Sequence, residues 1–154
     1  MEWRTTITTI AFDGKILAAD KQTTWSGRPA PTVKIHKLQK SSGWQAIGHA
    51  GNSYHALLIK RWFNGELEKE PTLPTDSNAI VLLVDLNGRP YMSDRDLVPI
   101  PTNMVPWAIG SGGDFAIGAM MAGVPAGEAI LIATECDTNT GMGVDEIEIK
   151  TSSD

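Results

Sequence analysis

The chain has very little cysteine and no long apolar run. Cys136 is the one cysteine among 154 residues, which excludes an internal disulfide framework and fits a reducing compartment. No stretch reaches the roughly 20 apolar residues that a membrane-spanning helix needs, and the start is too polar for a signal peptide. We therefore expect a cytoplasmic protein without a membrane partner.

An excess of positive charge is also missing. The chain carries 13 basic and 18 acidic residues, a net charge of -5, and its pI is about 5.1. This balance argues against nucleic acid as a partner. The hydrophobic content of 42% and the charged content of 20% are ordinary for a globular protein, and we expect a single domain over residues 1–154.

Apolar patterning predicts strands interleaved with helices. Asp13-Gly14 separates a Thr- and Ile-rich segment, 5–12, from residues 15–19, which are apolar after Lys15, and this predicts a hairpin with a type I′ turn. Two prolines in residues 26–31 predict a loop, because proline cannot donate to a strand ladder. The other predicted elements are strands at 33–38, 44–48, 80–84, 90–93, 105–109 and 144–149 and helices at 53–63, 111–121 and 126–135. This order indicates an α+β domain with two antiparallel sheets and helices outside them.

Five short motifs then follow one another along the chain. They are AADKQTT at 18–24, VKIHKL at 33–38, GHAG at 48–51, IGSGG at 109–113 and CDTNTG at 136–141. In this order they resemble motifs of the proteasome β-subunit group, which includes the bacterial peptidase HslV and short bacteriophage-type relatives. Each motif alone is weak, whereas five in family order are fairly specific.

The resemblance implies a fold, an activity and an assembly. The group folds as a four-layer αββα sandwich and belongs to the N-terminal nucleophile hydrolases, in which an N-terminal threonine hydrolyses peptide bonds inside a ring-shaped homo-oligomer. An ATPase unfoldase is a partner that the resemblance suggests, and a viral member would work in the host cytoplasm. No cofactor is expected, although the group can hold a structural cation near the loop that corresponds to residues 137–140.

The residue types suit this chemistry. A threonine hydroxyl is a poor nucleophile without a base, and a free N-terminal amine, whose pKa lies near neutrality, can be that base. By resemblance, Lys34 lowers the cost of the oxyanion and Asp20 fixes the position and charge of Lys34. Taken singly, Lys34 also fits a solvated strand lysine, and Asp20 fits a residue at a strand end.

The later motifs supply the other candidate site residues. By resemblance, Gly51 offers its backbone N–H to the tetrahedral oxyanion, and glycine permits the close approach. Ser111 hydrogen-bonds the terminal amine, while Asp137 and Thr140 support the amine and Ser111. The same residues also fit a plain turn at Gly51, a helix N-cap at Ser111 and an Asx-type turn beginning at Asp137.

Two threonines are candidates for the nucleophile, because the sequence TTI occurs at 5–7 and again at 8–10. The spacing to Asp13-Gly14 in HslV-like hairpins favours Thr5, and the short phage-like pattern favours Thr8. Residues 1–4 precede Thr5 as an extension, and Glu2 is too large to allow simple removal of Met1. We therefore expect that autolysis or another protease must expose the threonine.

Two functions of different class remain open. The first is a threonine peptidase in a precursor or extended form. The second is a catalytically inactive descendant that uses the sandwich for assembly or interaction, acting on a host machine if the protein is viral.

Overall fold

The computed structural model describes residues 8–151, and the elements within that range run in the following order. They are β1 (Thr9–Phe12), β2 (Ile16–Asp20), β3 (Gln22–Trp25), β4 (Arg28–Pro31), β5 (Ile35–Lys37), β6 (Trp44–Ala50), α1 (Ser53–Phe63), β7 (Ile80–Asp85), β8 (Pro90–Asp94), β9 (Ile100–Pro101), β10 (Trp107–Gly110), α2 (Gly113–Met121), α3 (Ala126–Cys136) and β11 (Val144–Glu148). The expected mixture of antiparallel sheets and helices is confirmed.

The first sheet has four strands in the order β10-β1-β2-β11, all antiparallel to their neighbours. Its centre is the predicted β1–β2 hairpin, in which Phe12 pairs with Leu17. The turn is not type I′, because Gly14 has a positive φ of 101° and Asp13 does not. Instead the Asp13 carboxylate accepts the backbone N–H groups of Lys15 and Ile16, both at 2.8 Å, and closes a wider loop.

The second sheet has five strands in the order β5-β6-β7-β8-β9, again antiparallel. Residues 81–84 of β7 are buried on both faces, as their continuous apolar run predicts. Helix α1 begins where expected, with the Asn52 side chain accepting the backbone N–H of His55 at 3.1 Å. The two-residue strand β9 at the edge of this sheet was not predicted from the sequence.

The predicted loop at 26–31 is wrong in part, because β3 and β4 form a two-stranded antiparallel ribbon. Pro29 and Pro31 are tolerated because they are two residues apart on one strand, so both missing donors lie on its outer edge. The inward side still bonds normally, since the N–H of Thr32 donates to the Lys21 carbonyl at 2.7 Å. The ribbon joins the end of β2 to the start of β5, and so it joins Asp20 to Lys34.

Three apolar clusters hold the described elements together. One lies between the two sheets and takes residues from both, namely Ile10, Phe12, Leu17, Ala19 and Ile109 with Ile35, Ala46, Ala50, Leu82 and Val84. A second packs α1 on the other face of the five-stranded sheet, through Ala56, Ile59 and Phe63 against Ile47, Val81 and Leu83. The third packs α2 and α3 on the outer face of the four-stranded sheet, through Ala116, Met120, Ala126, Ala129 and Ile130 against Ala11, Ala18 and Ala108.

Strand alternation explains how one strand serves two clusters. Ile10 and Phe12 of β1 belong to the cluster between the sheets, whereas Ala11 belongs to the cluster under α2 and α3. Successive side chains of a strand point to opposite faces, so an apolar run such as 10–12 fills both. Small alanines on the helix side let α2 and α3 approach closely. Within residues 8–151 no helix has the length and apolar character to cross a membrane.

Candidate active site

A buried ion pair lies at the centre of the candidate site. The Nζ atom of Lys34 is 2.7 Å from Oδ1 of Asp20, and the two side chains are 3% and 0% exposed. Asp20 is the last residue of β2, and Lys34 precedes β5 directly. Burial lowers the pKa of Lys34 below its usual value, and the charge and hydrogen bond of Asp20 oppose that shift. The interpretation of Lys34 as a solvated strand lysine is wrong.

The Asp20 carboxylate also accepts three backbone N–H groups. Oδ1 accepts from Thr9 at 3.0 Å, and Oδ2 accepts from Gly141 at 3.0 Å and from Gln22 at 3.2 Å. These bonds compensate the loss of hydration around a fully buried carboxylate. They also tie the beginning of β1 and the loop before β11 to one fixed point.

A second polar cluster is built around the Asp137 carboxylate. The hydroxyls of Ser111 and Thr140 both donate to its Oδ2 atom, at 2.6 and 2.7 Å. Burial raises the pKa of Asp137, but these two hydroxyls, the Asn139 N–H and the charge of Lys34 outweigh it, so the pKa lies below its ordinary value. Asp137 is therefore ionised at neutral pH and orients both hydroxyls.

The local turns that hold this cluster were only partly predicted. The Asx-type turn is present, with the Asn139 N–H donating to Oδ1 of Asp137 at 3.1 Å, and it coexists with the contacts to Ser111 and Thr140. Ser111 is not the N-cap of α2, because Gly112 occupies that position and the helix begins at Gly113. The Ser111 hydroxyl is thus turned towards Asp137 rather than towards the helix.

Thr8 lies against this second cluster. Its backbone nitrogen is 3.4 Å from the Ser111 Oγ atom, and the residue is 3% exposed. Thr9, directly after it, bonds to Asp20 through its N–H and to Thr140 through its hydroxyl at 2.8 Å. Thr8 is therefore held beside both clusters. Thr5, the other candidate nucleophile, lies outside the described residues.

Gly51 follows β6 in the five-stranded sheet. Its φ of 90° is unfavourable for other residues, and an added Cβ would collide with the backbone of Asn78. The preceding strand is tied to the lysine, since the His49 N–H donates to the Lys34 carbonyl at 2.9 Å. Gly51 thus lies at the end of β6 next to the segment that carries Lys34.

The structure brings most of the sequence-predicted residues into one place. Bonded contacts join Thr8, Asp20, Lys34, Ser111, Asp137 and Thr140 through Thr9. Sequence reasoning did not assign Thr9 to the site, nor Gly112, where an added Cβ would collide with the Thr9 hydroxyl oxygen. The paired threonines of the TTI sequence at 8–10 pointed to Thr9 as well, but TTI was used only to choose between two nucleophiles.

Two histidines form a further polar contact nearby. The Nε2 atoms of His36 and His49 are 3.1 Å apart and the ring centroids are 5.2 Å apart. The rings therefore meet nearly head to head, which fits a hydrogen bond between them. Burial lowers the pKa of His49 to about 3, with His36, Lys34 and Lys60 adding to the shift. Within residues 8–151 no group of three or more His, Cys, Asp or Glu side chains could hold a metal ion.

Known structures share this arrangement of sheets and helices. HslV from Trypanosoma brucei matches with a TM-score of 0.66 at 22% identity, over 93% of this chain and 98% of that one. BPH from Thiobacillus denitrificans matches with a TM-score of 0.68 at 20% identity, over 96% and 99% of the two chains. The same protein in complex with epoxomicin matches with a TM-score of 0.69 at 19% identity, over 94% and 98%.

The chain has the fold of HslV and of BPH. The match spans nearly the whole of each chain, so the expected proteasome-like fold is confirmed. No protein-family model matches the sequence. At identities of 19 to 22% the likeness is one of fold, and the chemistry has to be argued from the side chains of this chain.

Proposed function

We propose that this protein is a threonine peptidase of the proteasome and HslV type, with Thr8 as its nucleophile after cleavage of the Ile7–Thr8 bond. The observation that carries the proposal is the position of the Thr8 nitrogen, 3.4 Å from the Ser111 hydroxyl and one residue from the N–H that bonds Asp20. A free amine at that nitrogen would keep the Ser111 contact and become the base next to its own hydroxyl.

The ion pair supplies the electrostatic part of the proposed mechanism. A lysine with a lowered pKa exchanges its proton more readily near neutrality than an exposed one. Its positive charge, fixed by Asp20, would stabilise a negatively charged threonine oxygen. The N–H of Gly51 is the proposed donor to the tetrahedral oxyanion, and Ser111, Asp137 and Thr140 orient the amine.

The proposal favours Thr8 over Thr5. Thr8 contacts Ser111, and the residue after it bonds both Asp20 and Thr140. Ile7 precedes Thr8, so a processing step must cut a peptide bond before the amine can act. Autolysis or a second protease would supply that step.

The wider arrangement forms part of the same proposal. Three separate apolar clusters support four layers in the order helix, sheet, sheet and helices. We infer a cytoplasmic homo-oligomeric ring, with an ATPase unfoldase and a bacteriophage source as further expectations. A cation near residues 137–140 also stays an expectation, and the proposed chemistry uses no cofactor.

The test compares two proteins. One is released from a cleavable tag so that its first residue is Thr8, and the other is the printed chain of residues 1–154. We expect epoxomicin to add once to the Thr8-initiated protein, as intact mass would show. Thr8→Ala should abolish the adduct, whereas Thr72→Ala in an exposed loop should leave it unchanged. An unmodified Thr8-initiated protein would contradict the proposal. Incubation of the printed chain then shows whether the Ile7–Thr8 bond is cut without another protease.

One observation favours the second candidate function, a non-catalytic assembly module. In the printed chain the Thr8 nitrogen belongs to a peptide bond with Ile7, and in that form it has no lone pair to act as a base. A chain that stays intact in its native cell and never reacts with epoxomicin would support this candidate.

A further inference from the structure

We propose that Thr9 is a positioning residue that locks the two polar clusters of the site together and so holds Thr8 for attack. This inference rests on the proposed peptidase function. Thr9 is 0% exposed, and it makes one bond to each cluster. Its backbone N–H donates to Asp20, the partner of Lys34, and its hydroxyl meets that of Thr140, the partner of Asp137.

The direction of the hydroxyl bonds follows from counting hydrogens. Each hydroxyl has one hydrogen, and the ionised Asp137 carboxylate can only accept. Ser111 and Thr140 both give their hydrogens to Oδ2 of Asp137. Thr140 must then accept from Thr9, so the order of donation runs from Thr9 to Thr140 to Asp137.

The same count fixes the state of Ser111. Its hydrogen is committed to Asp137 at 2.6 Å, a shorter contact than the 3.4 Å to the Thr8 carbonyl. A lone pair of Ser111 is therefore left to accept from the Thr8 nitrogen. Thr9 adds to this order by occupying the acceptor side of Thr140, which keeps Thr140 donating to Asp137.

Glycines at two positions make room for this arrangement. A Cβ on Gly112 would collide with the hydroxyl oxygens of both Thr9 and Thr140. A Cβ on Gly110 would collide with the carbonyl of Thr8, and its φ of 97° is a second reason for glycine there. The IGSGG turn is thus shaped to let the backbone at 8–9 approach closely.

Strand pairing completes the hold on Thr9. Thr9 pairs with Gly110 at the end of the β1–β10 ladder, so its backbone is fixed from that side as well. A displacement of about 1 Å at a reacting group can cost on the order of 100-fold in rate, because attack needs near-ideal geometry. Loss of the Thr9 hydroxyl should therefore slow the reaction of Thr8 without weakening the binding of a ligand.

The experiment measures epoxomicin inactivation of Thr8-initiated protein, with the limiting rate constant and the half-saturating concentration determined separately. We expect Thr9→Val, which keeps the side-chain shape, to lower the limiting rate about tenfold or more and to leave the half-saturating concentration unchanged. Thr9→Ser, which keeps the hydroxyl, should restore most of the rate. The matched control is Thr134→Val, which removes a hydroxyl bonded to the Ile130 carbonyl in α3 and should react as the wild type does.

Thr140→Val breaks the same bond from the other side and also removes a donor to Asp137, so its limiting rate should fall at least as far as that of Thr9→Val. If Thr9→Val does not fold, a Thr140→Val protein that reacts as fast as Thr134→Val overturns the inference. Where both variants fold, adding Thr9→Val to Thr140→Val should cost little further rate, because the bond is already lost. Equal rates for Thr9→Val and Thr134→Val, in a wild type that reacts, would overturn this inference and leave the peptidase proposal standing. A wild type that does not react would overturn both.

Discussion

Lys34 and Asp20 form a salt bridge of 2.7 Å in which both side chains are almost fully buried. A buried pair of this kind costs desolvation energy that its mutual attraction only partly returns, so it adds little to stability as a pair. Its importance appears when one member is removed, because the other is left as an uncompensated buried charge. A change at one member therefore leaves a buried charge unpaired, whereas a change at both members does not.

The first prediction concerns this asymmetry. Lys34→Met should destabilise the fold by about 3 kcal/mol, because the Asp20 carboxylate loses its counter-ion. The double change Lys34→Met with Asp20→Asn should cost less than the sum of the single changes, because it leaves no unpaired charge. Chemical unfolding monitored by tryptophan fluorescence gives the three values. Strict additivity would show that the two side chains are not coupled.

Elements of the fold could be predicted from the sequence where neighbouring residues alone determine the local structure. A capping residue at 52 or 53 before an apolar helical face predicted α1, and the continuous apolar run at 80–84 predicted the buried strand β7. The ribbon at 22–31 was missed because proline was taken to exclude a strand. That rule holds strictly only for a strand whose two edges are both hydrogen-bonded to neighbouring strands. Pro29 and Pro31 satisfy the rule because their missing donors lie on one edge of β4, while within residues 8–151 only its other edge is paired, with β3.

The candidate site, like the fold, could be predicted from the sequence only in part. The motifs were enough to name Lys34, Asp20, Ser111 and Asp137 as candidates. They could not show that Thr9 joins the two clusters, because its partner Thr140 is 131 positions away in the sequence. Contacts of that kind depend on how β1 and the loop before β11 meet, which no local pattern specifies.

The second prediction concerns Asp137, whose pKa is lowered mainly by the hydroxyls of Ser111 and Thr140 acting against burial. Because the pKa of Asp137 is lower in the folded state than its value near 3.8 in the unfolded chain, the ionised carboxylate stabilises the fold fully at a pH above 3.8. This contribution is lost as the pH falls through the folded-state pKa. Asp137→Asn should therefore be less stable than wild type at pH 7, and the difference should shrink below pH 3.8. Unfolding midpoints from pH 2.5 to 7 test this; a difference that does not change over that range would contradict it.

The third prediction concerns Gly51. Gly51→Ala places a Cβ against the Asn78 backbone at a φ of 90°, and we expect a loss of stability of about 1–3 kcal/mol. The matched change Gly65→Ala has a φ of 76° but an open surrounding, so it carries the backbone strain without the collision. Thermal unfolding of the two variants separates these causes. If Gly51→Ala costs no more than Gly65→Ala, then Asn78 does not constrain the turn.

The last prediction concerns His49, whose pKa falls from 6.5 to about 3, first because of burial and then because of His36, Lys34 and Lys60. Between these two pH values the unfolded chain binds a proton at His49 and the folded chain does not. Stability should therefore fall as the pH drops from 6.5 towards 3, by up to about 1.4 kcal/mol per pH unit from this group.

The variant His49→Gln tests this, because glutamine can still bond His36 but does not titrate. Its stability should depend less steeply on pH than that of the wild type. It should be somewhat less stable than the wild type at pH 8 and should regain that stability relative to the wild type at pH 4. Denaturant unfolding of both proteins across this range provides the measurement. Parallel curves for the two proteins would mean that His49 takes up its proton in the folded protein at the same pH as in the unfolded chain, and that its burial does not limit the acid stability of the fold.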